Sequence, residues 1–209
     1  MNKIISKLKE LEAKYKLTPF REVGLFMIIL IVVHFLYRWL ARYNFQILGI
    51  QIISPDLFNY VAHILFKNSL WINKHILGLH FKTYGDMFYF LNPNYPIEKN
   101  AYIGWIGVGA SCSSVKQSIE FIILMLLYPG PWKHKLWFIP SGILIIHIIN
   151  IFRIVSLSVI LVNFKTQQIF TFSHDWILRP FFYVVIFGMW VFWVEKIMKK
   201  GIKVKDTSN

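Results

Sequence analysis

The sequence predicts a mainly α, polytopic membrane bundle of about four spans, with an amphipathic helix and a short β segment on its outer side. Three observations carry this. Of 209 residues, 56% are hydrophobic and 16% charged, where soluble domains carry about 25% charged residues. The apolar residues are gathered into runs long enough to cross the ~30 Å hydrocarbon core at 1.5 Å per residue. Finally, 23 Lys and Arg stand against 10 Asp and Glu, a net charge of +13, and they concentrate at the chain ends and in one short turn. A nucleic-acid binder spreads basic groups over a folded face. Basic groups at the borders of apolar runs are those retained on the cytoplasmic side of a membrane. The expected partner of this surface is a lipid bilayer, with no nucleic acid.

Residues 1–18 are expected to form a cytoplasmic amphipathic helix. Ile4, Ile5, Leu8, Leu11 and Tyr15 recur at helical spacing, and Lys3, Lys7, Lys9, Lys14 and Lys16 fill the other faces, which suits an anionic membrane surface. The basic leader is long and no small-residue cleavage site follows, so the first span is expected to be a permanent signal-anchor. Residues 19–209 then form a single integral membrane domain. Its expected spans are Val23–Leu40, Val115–Tyr128, Trp137–Val162 and Trp176–Ile197. Two further crossings, at 43–66 and 57–81, would make six. Asn59, His63, Lys67, Asn68, Asn73 and Lys74 oppose them, since each would need a partner in the bilayer.

Charge sets the expected orientation. Lys3 to Arg21, Lys196 to Lys205, and Lys133 with Lys135 in the Pro129–Lys135 turn all belong inside, which puts both termini in the cytoplasm of a cell (plasma or inner) membrane. Segments 41–112 and 163–175 then lie outside. Within the first, Ser54-Pro55-Asp56 is a helix-start signal, followed by an apolar stripe of Leu57, Val61, Ile64, Leu65 and Trp71 that would rest on the outer leaflet. Short β-prone runs follow, broken at Tyr84-Gly85-Asp86 and Asn92–Pro96. The run Ala101–Ala110 delivers the chain to Ser111-Cys112. Gly104, Gly107 and Gly109 would permit the close backbone approach that a substrate groove needs.

Chemistry concentrates at one level of this topology. Cys112 is the sole cysteine, which excludes an intramolecular disulfide. It precedes an inward-running helix whose N-terminus favours a thiolate. Arg153 lies about 24 Å along the helix from Trp137, and an arginine within a span costs ~2.5–3.5 kcal/mol on insertion scales. Asn150 and His147 share its arc. His174 stands just before the last span, with Asp175 beside it. Taken singly, each has an ordinary explanation: an incidental cysteine, a packing network, a loop histidine. Together, a thiol, an imidazole and a guanidinium on one side supply nucleophile, acid/base and oxyanion stabiliser for acyl transfer. No second cysteine or HxxxH pair accompanies them, so no metal is expected, and no cofactor either.

Gly109-Ala-Ser-Cys112-Ser-Ser, then Asn150-Ile-Phe-Arg153-Ile, then His174 before a final span resemble the three signatures of the exosortase/archaeosortase family, over about the last half of the chain. The resemblance implies a membrane cysteine protease or transpeptidase acting in protein sorting, with Cys112, Arg153 and His174 catalytic; by their placement, Asn150 and His147 are candidates to orient Arg153, and Asp175 to orient His174. It implies a membrane-anchored substrate protein, carrying a C-terminal sorting signal, cut at the outer face. Two positions depart from the family pattern: Ser114 and Leu178 stand where glycine is usual. The competing expectation is a non-enzymatic membrane assembly or transport subunit, in which Cys112→Ser is silent.

Overall fold

A computed structural model of the chain describes residues 18–42, 46–47, 50–51, 54–92 and 102–198. The helix expected over residues 1–17 and the turn at 93–96 lie outside them. Helix α1 is Thr18–Arg42, and a two-residue hairpin, β1 Gln46–Ile47 with β2 Ile50–Gln51, follows it. Helix α2 is Pro55–Trp71, continued by a π-helical turn Ile72–Ile76. Strands β3 Phe81–Tyr84, β4 Met87–Leu91 and β5 Tyr102–Gly107 form an antiparallel sheet in the order β3-β4-β5. Then come α3 Val115–Leu127, α4 Trp132–Phe164, α5 Gln167–Phe172 and α6 Arg179–Phe192, with π-helical turns at Ser173–Leu178 and Trp193–Met198.

Four helical stretches are long and apolar enough to cross a membrane: Arg21–Leu40, Ala110–Leu127, Trp132–Phe164 and Gln168–Met198. The exterior agrees with a lipid environment, since Met27, Ile28, Val32 and Phe35 on α1 and Val184 and Phe187 on α6 are exposed. A water-soluble protein would not leave such a belt bare. The helical part of residues 57–81 is not among these four stretches, and the segment ends where strand β3 begins.

The 33-residue α4 organises everything else. Its buried residues Lys135, Phe138, Gly142, Ile146, Asn150, Arg153, Leu157 and Leu161 recur every three or four positions, one stripe along a helix of about 50 Å. The hydrocarbon core is only ~30 Å, so the stripe serves two cores in succession. The first joins α4 Phe138 and Ile146 to Phe26 of α1, Phe121, Leu124 and Met125 of α3, and Phe182, Ile186 and Trp190 of α6. The second joins α4 Ile154, Leu157 and Leu161 to Leu65 and Phe66 of α2, Phe88 and Phe90 of β4, and Ile106 of β5.

Several local features differ from the sequence reading. Helix α2 and the π-helical turn that continues it bury Ala62, Leu65, Phe66, Ser69 and Asn73, while Leu57 is 43% and Trp71 56% exposed. The stripe is rotated because α2 packs on α4 through polar bonds, Asn73 to Ser158 at 3.0 Å and Asn68 to His147 at 3.2 Å. Of the three glycines before Cys112, only Gly104 is closely approached, by the Leu161 side chain, so its role is sheet-on-helix packing. Lys135, read as one of two lysines of the Pro129–Lys135 turn, lies in α4 and is 3% exposed. Its ammonium caps α3, donating to the carbonyls of Leu126 at 3.1 Å and Tyr128 at 2.7 Å, where the helix dipole favours a cation. Tyr128 just beyond donates to the Glu22 carboxylate.

Helix α3 approaches α4 closely at Gly142. A Cβ there would clash with Cε1 and Cζ of Phe121, whose ring is fully buried. Gly142→Ala is therefore expected to destabilise the protein by about 1–3 kcal/mol, read as a lower thermal midpoint in detergent. Gly188→Ala, with open space at its Cβ, is expected to hold or raise it.

Candidate active site

Where the two cores meet, α4 presents Asn150 and Arg153, both buried. Facing them is the turn that precedes α3. Ala110–Cys112 form one 3-10 turn, closed by Cys112 N to Gly109 O at 2.8 Å and Ser113 N to Ala110 O at 3.2 Å. Ser114 then adopts φ 60°, ψ 7° and turns the chain into the helix. This left-handed conformation costs a non-glycine residue about 1–2 kcal/mol, which gives a physical reason for glycine to be favoured there. Ser114 Oγ recovers a hydrogen bond by donating to the Ser113 carbonyl at 2.6 Å.

Asn150 and Arg153 clamp this turn. Asn150 Nδ2 donates to the Cys112 carbonyl at 2.5 Å, and its Oδ1 accepts from Arg153 Nη1 at 3.4 Å. Arg153 Nη2 lies 3.8 Å from Cys112 Sγ and 3.2 Å from His174 Nε2. At 7% exposure the guanidinium would be costly without such partners. It also lies over the Phe182 ring, 5.8 Å from its centre, a favourable cation–π placement. The structure thus brings Cys112, Arg153, His174 and Asn150 together. His147 is not among them, because its Nε2 pairs with Asn68 of α2. The Asp175 side chain lies outside the described residues.

His174 was expected in a loop. It instead occupies the π-helical turn Ser173–Leu178, continuous with α5 and α6, a device that re-aims a side chain without ending a helix. Phe170, one turn earlier, stacks on the imidazole at 6.2 Å and 13°.

Among the described residues, two clefts open on Cys112, Arg153 and His174. One, of about 250 Å³, is walled by Trp105, Ile106, Gly107, Ile154, Leu157 and Phe170. Sheet register decides what β5 offers it. Val108 N bonds to Asp86 O at 2.9 Å, and Ile106 pairs with Phe88 and Gly104 with Phe90, so by antiparallel alternation these residues turn their amides toward β4. The amides of Trp105 and Gly107 therefore face the open edge, and Gly107 O lies 3.9 Å from Cys112 Sγ. The other cleft is walled by Ser111, Lys116, Gln117, Phe182 and Tyr183.

The sequence model of transmembrane exosortases matches residues 75–192. The chain belongs to the transmembrane exosortase family. That membership and the four apolar helices make it a multi-pass membrane protein, and the family as a whole supports a membrane transpeptidase-like role. No curated protein and no solved structure matches the chain. The family match spans α3 to α6 and reaches back through the sheet to the turn that ends α2, so it covers every group of the site in this exosortase.

Residue-by-residue reading missed one group beside the site. Glu120 of α3, 2% exposed, meets His34 Nδ1 of α1 at 3.3 Å and Lys116 Nζ at 3.8 Å. Its signal was present as ionisable residues inside two apolar spans, one of them four residues after a lysine.

The Ser114 geometry gives a test in this exosortase. Ser114→Gly is expected to raise the thermal midpoint, by roughly 1 kcal/mol of stability. Ser114→Val, β-branched at a positive φ, is expected to lower it and to shift Cys112, seen as altered reactivity toward a neutral thiol reagent.

Proposed function

We propose that the chain is a cysteine endopeptidase/transpeptidase that cleaves C-terminal sorting signals of exported, membrane-anchored proteins at the outer face of the cell membrane. The observation that supports this most is Arg153 Nη2, within 3.8 Å of the Cys112 sulfur and 3.2 Å of the His174 imidazole. A cation shared by a thiol and a base, beside an open cleft, is the arrangement that acyl transfer requires and that packing alone does not. The charge bias of the sequence supports placing both termini in the cytoplasm and the site outside.

In this reading Cys112 passes its proton to His174, and the thiolate attacks the scissile carbonyl, forming a C–S bond. Negative charge moves to the carbonyl oxygen, where the Arg153 N–H groups stabilise it. Collapse breaks the C–N bond, and His174 protonates the departing amine. An acceptor then attacks the thioester, His174 takes its proton, the C–S bond breaks, and the Cys112 thiolate is restored. Asn150 orients both partners, holding the Cys112 carbonyl and the guanidinium together. The donor peptide lies extended along the open edge of β5, its main chain pairing with Trp105 and Gly107. That edge leads directly to the sulfur.

The non-enzymatic alternative draws on the Asn68–His147 and Asn73–Ser158 bonds, which show polar groups serving assembly in this bundle. It does not account for a cysteine sulfur beside the arginine at the mouth of a cleft. The two separate in host membranes containing the natural substrate. Cys112→Ala is expected to abolish processing. Arg153→Gln is expected to slow it by about 10²–10³-fold and His174→Ala by about 10²–10⁴-fold, with all three proteins present at normal level. Continued processing by Cys112→Ala protein defeats the proposal.

A further inference from the structure

The two clefts that reach Cys112 differ in chemistry. The one along β5 is largely apolar. The other passes between α3 and α6 and, by way of Ser111, Lys116 and Gln117, continues into a pocket bounded by Tyr37, Phe58, Ser113 and Ser114. Hydroxyls, an amide and an ammonium line this second path, with Arg153 on its wall. No carboxylate is among its described lining residues.

Lys116 is built into place. Its Nζ lies 5.4 Å over the Tyr37 ring and 3.8 Å from Glu120 Oε1, with the lysine side chain 32% and the glutamate 2% exposed. Glu120 sits one helical turn further into the bundle and shares that oxygen with His34. It steadies the lysine from behind and does not enter the cleft. Lys116 and Arg153 put two cations on the walls of this cleft, and Glu120, behind the lysine, is not among its described lining residues; charges so placed focus positive potential where a ligand would sit.

We propose that this second cleft is an anion-binding subsite, in which Lys116 and the neighbouring hydroxyls hold a carboxylate or phosphate ester of the acceptor. The proposal rests on the acyl-transfer reading above. It assigns the two clefts to the two halves of the reaction: the donor peptide enters along β5, and the acceptor reaches the thioester from the α3–α6 side. Its nucleophile then attacks the thioester carbonyl while its anionic group stays on Lys116.

Because Cys112 is the sole cysteine, the full-length protein needs no engineering for a charge-selective test. In phosphatidylcholine nanodiscs, anionic sulfonatoethyl and cationic trimethylammonioethyl methanethiosulfonates are compared, each rate normalised to a free thiol. The anionic reagent is expected to be favoured. Lys116→Gln should cut the ratio roughly threefold or more, and Lys116→Arg should preserve it. Inorganic phosphate, or phosphatidylglycerol in the disc, should slow the anionic reagent on unmutated protein. Protection by phosphate points to a soluble ligand, and protection by the lipid alone points to a headgroup. An unchanged ratio in Lys116→Gln, or protection by neither, overturns the subsite. In host membranes Lys116→Gln should accumulate the Cys112 thioester, and failure to form it would move Lys116 to the donor half and overturn the assignment. Unimpaired processing by Cys112→Ala would instead end the parent reading, while leaving the labelling ratio intact.

Discussion

A guanidinium held inside an apolar bundle is the constraint around which this structure is arranged. Arg153 cannot be left to hydrocarbon, since the cost of ~2.5–3.5 kcal/mol is a sizeable share of a protein's net stability. Each element that touches it comes from a different part of the chain. Asn150 accepts from one terminal nitrogen, the Cys112 sulfur and His174 meet the other, and Phe182 lies beneath. Satisfying one charge therefore draws α3, α4 and the start of α6 to a single point. The same contacts that make the arginine tolerable assemble the reactive groups.

The second requirement concerns backbone. Helix α3 has 13 residues, about 20 Å, and stops short of a full crossing. The remaining depth is covered by the Ala110–Cys112 turn and two serines. Irregular backbone at such depth survives only where protein covers it or water reaches it. The first condition holds here. Helix α2 and the sheet pack the second core over the turn, and Asn150 satisfies the Cys112 carbonyl. The left-handed Ser114 is the local cost of turning from this stretch into a helix. The length of α4 follows from the same division, since one helix must anchor the lipid-embedded core and also carry the sheet above it.

Much of this was legible in the residues. Apolar runs gave the spans, because length against bilayer thickness is a one-dimensional criterion. Asn150 and Arg153 announced themselves by being polar in such a run and three apart. The turn at Gly85-Asp86 is where the glycine-containing break placed it. Whatever depended on a partner from another element was not legible. The buried face of α2 is set by Asn68 and Asn73 finding His147 and Ser158, which hydrophobic periodicity on one helix does not encode. Lys135 counted only as a basic residue of a turn, and its role as a cap required the end of α3 to stand beside it. His147, on the arc of Arg153, turned to Asn68. The π-helical turn that aims His174 left no composition signal. The glycines before Cys112 look alike in sequence, yet only Gly104 is closely approached, by the Leu161 side chain of α4.

The central claim is that the Cys112 sulfur bonds covalently to substrate within this arrangement. It is tested most directly by recovering the protein from substrate-containing membranes after rapid acid quench and mapping any acyl adduct by mass spectrometry. The account expects a hydroxylamine-labile adduct on Cys112 carrying the new C-terminus of the cleaved protein. An adduct mapped to another residue, or substrate turnover with Cys112 unmodified at every time point, would contradict it.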